Sequence, residues 1–220
     1  LHRFRRYFLK NFPPRNSKHP TVKMKKIPLL FSCATLALLS PLFGASQSVQ
    51  SPDGRLTAIV EDGAQLTLAL RSDGHVLVDK MQIGLDTDRG IVGRDAKILE
   101  AAQISKDEVI DALGDVKSKM RDHYNEMDVQ FEGYTLCVRL YNNAYAYRFI
   151  TKLGKGDMIV NDEIFILDLD DSVPTIAHRI HPGMTAFESL YTRETVKELR
   201  GATYESLPFL FEIAAVRVAL

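Results

Sequence analysis

An all-β, antiparallel fold is what this 220-residue sequence predicts. Three observations carry that prediction. From Ser48 onward apolar and polar residues alternate at a period of two, which lines one face of a strand with apolar side chains. Glycine follows an acidic residue at Asp53-Gly54, Asp62-Gly63, Asp73-Gly74 and Glu132-Gly133, where a reversal needs a residue that tolerates positive φ. The alternation returns at Met127 and persists to Leu169.

The elements follow in order. "RLTAIVE" sets Leu56, Ala58 and Val60 against Thr57, Ile59 and Glu61, and Asp62-Gly63 then reads as a hairpin turn. "AQLTLALR" puts Leu66, Leu68 and Leu70 on one face, and "HVLVDK" follows the turn at Asp73-Gly74. These strands form an antiparallel meander. Residues 96–113, "AKILEAAQISKDEVIDAL", are ambiguous. Ala, Glu, Lys and Leu favour helix, and Ile98, Ala101, Ala102, Val109, Ile110 and Leu113 partly match helical spacing.

"MDVQF" and "YTLCVRLY" flank the turn at Glu132-Gly133. Leu136, Val138 and Leu140 share one face, and Cys137, Arg139 and Tyr141 the other. Asn142-Asn143 turns the chain into "AYAYRFI", with Tyr145, Tyr147 and Phe149 on one face and Ala144, Ala146 and Arg148 opposite. Such an aromatic stripe favours packing between sheets over a sugar platform. Arg148 is expected to pair with a carboxylate. "DEIFILDLD" is a further strand, and "FESLYTRETVKEL" is a short helix or a strand ending in a helical turn. The last stretch, "LPFLFEIAAVRVAL", is strongly apolar and reads as an unpaired strand, an aggregation liability.

The zero formal net charge conceals a segregation. Residues 1–46 carry nine of the 28 Lys and Arg and no Asp or Glu. Residues 47–220 therefore hold 19 basic against 28 acidic residues, a formal charge of −9. So acidic a body is a poor partner for nucleic acid or an anionic membrane. At 24–46, Lys25 and Lys26 precede an apolar run from Ile27 to Phe43, and Gly44, Ala45 and Ser46 follow. This is the three-part pattern of a signal peptide, too short and too interrupted for a stable membrane span. It implies export, periplasmic or secreted. Residues 1–23 read as an over-extended reading frame or a disordered arm. Cys33 lies in the signal, and the remaining thiol, Cys137, is expected to be buried and unreactive.

No catalytic constellation stands out. His178 and His181 lack a completing ligand cluster, and there is no nucleophile elbow, P-loop or dinucleotide fingerprint. The acidic run Asp168 to Asp171 reads as solvated carboxylates rather than an acid–base pair.

Several stretches, in this order, resemble the N-terminal domain of glycoside hydrolase family 97. They are "VQSPDGRL" at 49–56, "MRDHYNEMDVQF" at 120–131 and "VRLYNNAYAYRF" at 138–149, with support from "VNDEIFILDL", "FESLYT" and "LPFLFE". The family usually has Asn-Asp-Gly or similar where this chain has Asn142-Asn143-Ala144. The likeness spans about 47–218. It implies a β-super-sandwich of the galactose mutarotase-like type, and strands rather than helix at 96–113. In the family this domain precedes a (β/α)8 barrel bearing the catalytic carboxylates of an α-glucosidase or α-galactosidase.

The resemblance further implies a calcium ion held partly by a glutamate just past the strand that "VRVAL" resembles. Glu212 lies earlier and does not match it. No catalytic, cofactor or metal residue is therefore expected in this chain. Tyr124, Asn125, Glu126, Tyr145, Tyr147 and Arg148 are the candidates for structural or sugar contacts, and the barrel and an α-linked oligosaccharide are the implied partners. On this reading 47–220 is the family domain, incomplete at its C-terminal end. The alternatives are a stand-alone carbohydrate-binding sandwich and a non-functional gene remnant.

Overall fold

The computed structural model describes residues 44–111, 118–179, 190–200 and 205–220. Most of the signal-like segment, Cys33, Leu113 and His181 lie outside these. Two sheets face each other across the main core. The first runs in the order β1 (Ser46–Gln50), β2 (Leu56–Glu61), β4 (Thr67–Ser72), β5 (His75–Thr87) and β12 (Val160–Leu167), and β6 (Gly90–Val92) adds to β5. The second runs β11 (Tyr145–Thr151), β10 (Tyr134–Leu140), β9 (Lys119–Phe131) and β8 (Glu100–Asp111). Neighbouring strands within both sheets are antiparallel.

The period-two alternation does what it predicts. Leu56, Ala58 and Val60 are buried while Thr57, Ile59 and Glu61 are not. Leu66, Leu68 and Leu70 face Met127, Val129, Leu136, Val138 and Leu140 in one core cluster. Each aliphatic side chain so removed from water contributes about 1.5–3 kcal/mol.

Two expectations need correction. Asp62-Gly63 does not make a tight hairpin. Residues 62–66 leave the β2–β4 ladder, and within them β3 (Gly63–Gln65) pairs with β7 (Arg94–Ala96). Leu66 N–H then donates to the Gly93 carbonyl at 2.7 Å. A distant strand has recruited the connection, which local turn chemistry cannot foretell. Nor is the apolar C-terminal stretch a lone strand. β15 (Glu205–Ile213) and β16 (Val216–Ala219) form a hairpin, and β15 is central in a third sheet of order β14 (Thr192–Thr195), β13 (Pro174–Arg179), β15, β16. Its turn residues, Ala214 and Ala215, both have positive φ, +51° and +64°. Phe211 is buried in the main core cluster, and Val216, Val218 and Leu220 pack against it.

At 96–113 the described chain is the last residue of β7, three irregular residues and then β8 through Asp111, strand and not helix, as the resemblance implies. Twelve residue pairs join β8 to β9, whereas β10 pairs with β9 only from Asn125 to Phe131. The distal half of β8 and β9 therefore projects as a two-stranded ribbon. Of the 187–199 stretch, 187–189 lie outside the described residues. After the irregular Leu190 and Tyr191, the rest is β14 followed by α1 (Val196–Leu199). A Thr195–Glu198 capping box starts that helical turn.

Candidate functional site

The six candidate residues fall on two faces of the second sheet. Register sets Asn125, Tyr145 and Tyr147 on the inner face with Leu140 and Val138. It sets Glu126 and Arg148 on the outer face with Arg139 and Cys137, and Tyr124 shares Glu126's parity. They do not converge on one site.

The outer group is organised by Arg139, which the six do not include. Its Nε and Nη2 fork onto one carboxylate oxygen of Glu126, at 3.0 and 2.7 Å. The guanidinium lies 3.7 Å from the centre of the Tyr124 ring, a cation–π contact. Its Nη1 reaches the Tyr141 hydroxyl at 3.5 Å, and that hydroxyl donates to Asp122 at 3.1 Å. The two side chains of the ion pair are 15% and 5% exposed, so the charges are largely cut off from water. Burial opposes the Arg139 charge, but the hydrogen bonds it donates to Tyr141 and Glu126 outweigh it and hold the guanidinium firmly protonated. Burial likewise raises the Tyr124 and Tyr141 hydroxyls. The cluster is closed on itself, with aromatic and charged groups already engaged.

Beside it, register sets Asp128, Cys137 and Arg148 in a row across β9, β10 and β11. Cys137 is buried, and burial pushes its thiol up to about 12. That is the unreactive state expected of it. Arg148 is half-buried.

The inner group is packing. Tyr145 hydroxyl donates to Met81 Sδ at 3.6 Å, and Tyr147 hydroxyl to Glu163 at 2.9 Å. Both bonds cross from β11 to the first sheet. Tyr147 and Phe149 meet edge to face at 6.0 Å. Burial pushes the Tyr145 hydroxyl up to about 12, and burial with the Glu163 carboxylate raises that of Tyr147 further. Asn125 Nδ2 donates to the Gln50 carbonyl at 2.8 Å, tying β9 to β1.

Two carboxylates of the acidic run are engaged. Asp170 accepts from Ser172, and Asp171 pairs with Arg200 at 2.5 Å. Glu212 faces Arg217 across β15 and β16 at 3.5 Å. Among the described residues no group of three or more His, Cys, Asp or Glu side chains is placed to hold a metal.

The sequence family described as the glycosyl-hydrolase 97 N-terminal domain matches residues 49–220. The chain belongs to this family. As a family 97 N-terminal domain it is 28% identical over 199 residues to a retaining α-galactosidase of Bacteroides thetaiotaomicron. That match covers 86% of this chain and 30% of the relative, so the chain spans under a third of the relative's length. A family 97 enzyme from Pseudoalteromonas sp. strain K8, solved with acarbose, superposes with a TM-score of 0.65 at 18% identity. The superposition covers 76% of this chain and 27% of that one. A β-arabinopyranosidase gives the same TM-score and identity, with 30% of its chain covered. At that identity these two structures speak to the fold alone. With them the antiparallel β-sandwich of the family 97 N-terminal domain is the fold of this chain.

Proposed function

We propose that the chain is the non-catalytic N-terminal domain of an exported α-glycoside hydrolase, an α-galactosidase or α-glucosidase, and that it supports a separate catalytic domain. The observation that carries this reading is the family match over 49–220 in a chain that spans 30% of its α-galactosidase relative. The side chains agree with it. Glu126 is committed to Arg139, and the Tyr145 and Tyr147 hydroxyls turn toward the first sheet. That favours support over sugar binding. Export rests on the signal pattern at 24–46, with mature protein beginning near Gln47.

The test assays the purified chain against aryl α-galactosides and α-glucosides, with and without calcium, and titrates it with maltooligosaccharides. No turnover and no binding are expected. Calcium-dependent turnover would overturn the support role, and saturable sugar binding would favour a carbohydrate-binding module. Mass spectrometry of exported protein that retains Met24 would refute the signal.

A further inference from the structure

Residues 152–159 form a strap that connects β11, at the edge of the second sheet, to β12, at the edge of the first. The strap is stitched to two turns. Lys152 N–H donates to the Gly133 carbonyl at 2.7 Å, in the β9–β10 turn. At the other end Asp88 N–H donates to the Ile159 carbonyl at 3.0 Å, and Ile159 N–H to Asp88 Oδ1 at 3.1 Å. Leu153 packs against the main core, while Gly154, Lys155, Gly156 and Asp157 are exposed.

The middle of the strap is organised by one side chain. Arg89 Nη1 donates to the Leu153 carbonyl at 3.0 Å, and its Nη2 to those of Lys155 and Asp157 at 3.0 and 2.6 Å. These acceptors sit on alternate residues, and the residues between them are Gly154 and Gly156, with φ of +113° and +79°. Positive φ at both lets the backbone curl three carbonyls around one centre, as a loop does around a bound cation. A Cβ on Gly154 would stand 3.1 Å from Arg89 Nη1, so the curl closes tightly on the guanidinium. Arg89 itself is seated by the β5–β6 turn, where its N–H donates to Thr87 Oγ1 at 3.1 Å and that hydroxyl donates to the Gly90 carbonyl at 2.6 Å. A planar fork of donors serves three carbonyls, which an ammonium point charge matches poorly.

The geometry points to Arg89 as a removable lock. Its guanidinium takes the place of a bound cation at the centre of the strap, and the strap opens as a unit, without the two sheets, when that centre is withdrawn. Apart from Leu153, the central strap is held by bonds to Arg89 rather than by burial. That places it at the low-stability end of the domain. Opening uncovers Leu153 and the edge of the core on which it packs.

Native-state hydrogen exchange on the whole chain tests this, read by mass spectrometry on peptides from 152–159 and from β9–β10. In the parent the hydrogen-bonded strap amides, those of Lys152 and Ile159, are expected to exchange through an opening that leaves β9–β10 protected. Arg89→Ala is expected to speed strap exchange at least tenfold, and millimolar methylguanidinium to reverse most of that. Arg89→Lys should fall between the two. Strap amides that exchange in step with β9–β10 in the parent overturn the proposal, whether or not the variant folds. So does an Arg89→Ala strap that exchanges at the parental rate, or one that methylguanidinium leaves open.

Discussion

Tyr147 ties the two sheets at a single atom, its hydroxyl on Glu163. Tyr147→Phe keeps the ring and loses the bond, an expected cost of about 1 kcal/mol. Tyr147→Ala also removes a half-buried ring, and about 2–3 kcal/mol is expected, below the range for a fully buried aromatic. Urea unfolding of the two variants separates the terms. A Tyr147→Ala protein as stable as the parent would make the stripe a surface feature. Arg139 carries more. Arg139→Ala leaves the Glu126 carboxylate buried and uncompensated, at an expected cost of about 3–5 kcal/mol. Adding Glu126→Gln should recover part of that loss, and a double-mutant cycle in urea measures how much. Arg139 was visible in the sequence as a charge alternating with Cys137 and Tyr141 on one strand face. Its partner was not, because Glu126 becomes its neighbour only through the β9–β10 register.

The β15–β16 hairpin turns on Ala214 and Ala215, both in the left-handed region where a Cβ crowds the following carbonyl. Asn-Gly suits that geometry. Ala214→Asn with Ala215→Gly is expected to stabilise the domain by about 1–2 kcal/mol, seen as a higher urea midpoint at unchanged slope. An unchanged midpoint would mean that the turn is not strained. The same hairpin shows where sequence reading stops. β2 was legible because its buried face gives a clear alternation, and β4, β9 and β10 because apolar residues recur at a period of two along the face they bury, even where the opposite face is covered as well. β11 was legible from its stripe of Tyr145, Tyr147 and Phe149. Along β15, Leu207 to Phe211 is an unbroken apolar run, and such a run hides its turn and its partners. Residues 100–111 were ambiguous for the opposite reason. Most of β8 is exposed, so no buried face imprints a period on it.

For the molecule as a whole, several neutral groups are buried that ionise readily in an unfolded chain. Burial moves Cys137 from 9.0 to about 12, and Tyr134 and Tyr145 from 10.0 to about 12. A raised folded-state value means that the contribution is fully present below the unfolded value. It is then lost as pH rises toward the folded one. The domain is therefore expected to lose stability between pH 9 and 12, by about 1.4 kcal/mol for each pH unit a group is displaced. Tyr145→Phe, which keeps the ring beside Met81, should flatten that decline in thermal unfolding run across the range. A variant that declines as steeply as the parent would exclude Tyr145 as a contributor. The antiparallel strands were readable from alternation, whereas the sandwich of two sheets entered only through the family resemblance. The separation of the six candidates was not readable, because only register divides them between opposite faces. The last hairpin also sets how the domain responds to force. Leu220 and Phe209 close the open end of the β15–β16 ladder with a reciprocal pair of backbone bonds, at 2.9 and 3.2 Å. Tension applied at Leu220 loads those two bonds first and the remaining rungs one after another, like a zipper drawn from its open end. In an optical trap, β16 should peel away in a small early extension step, well before the sheets shear apart.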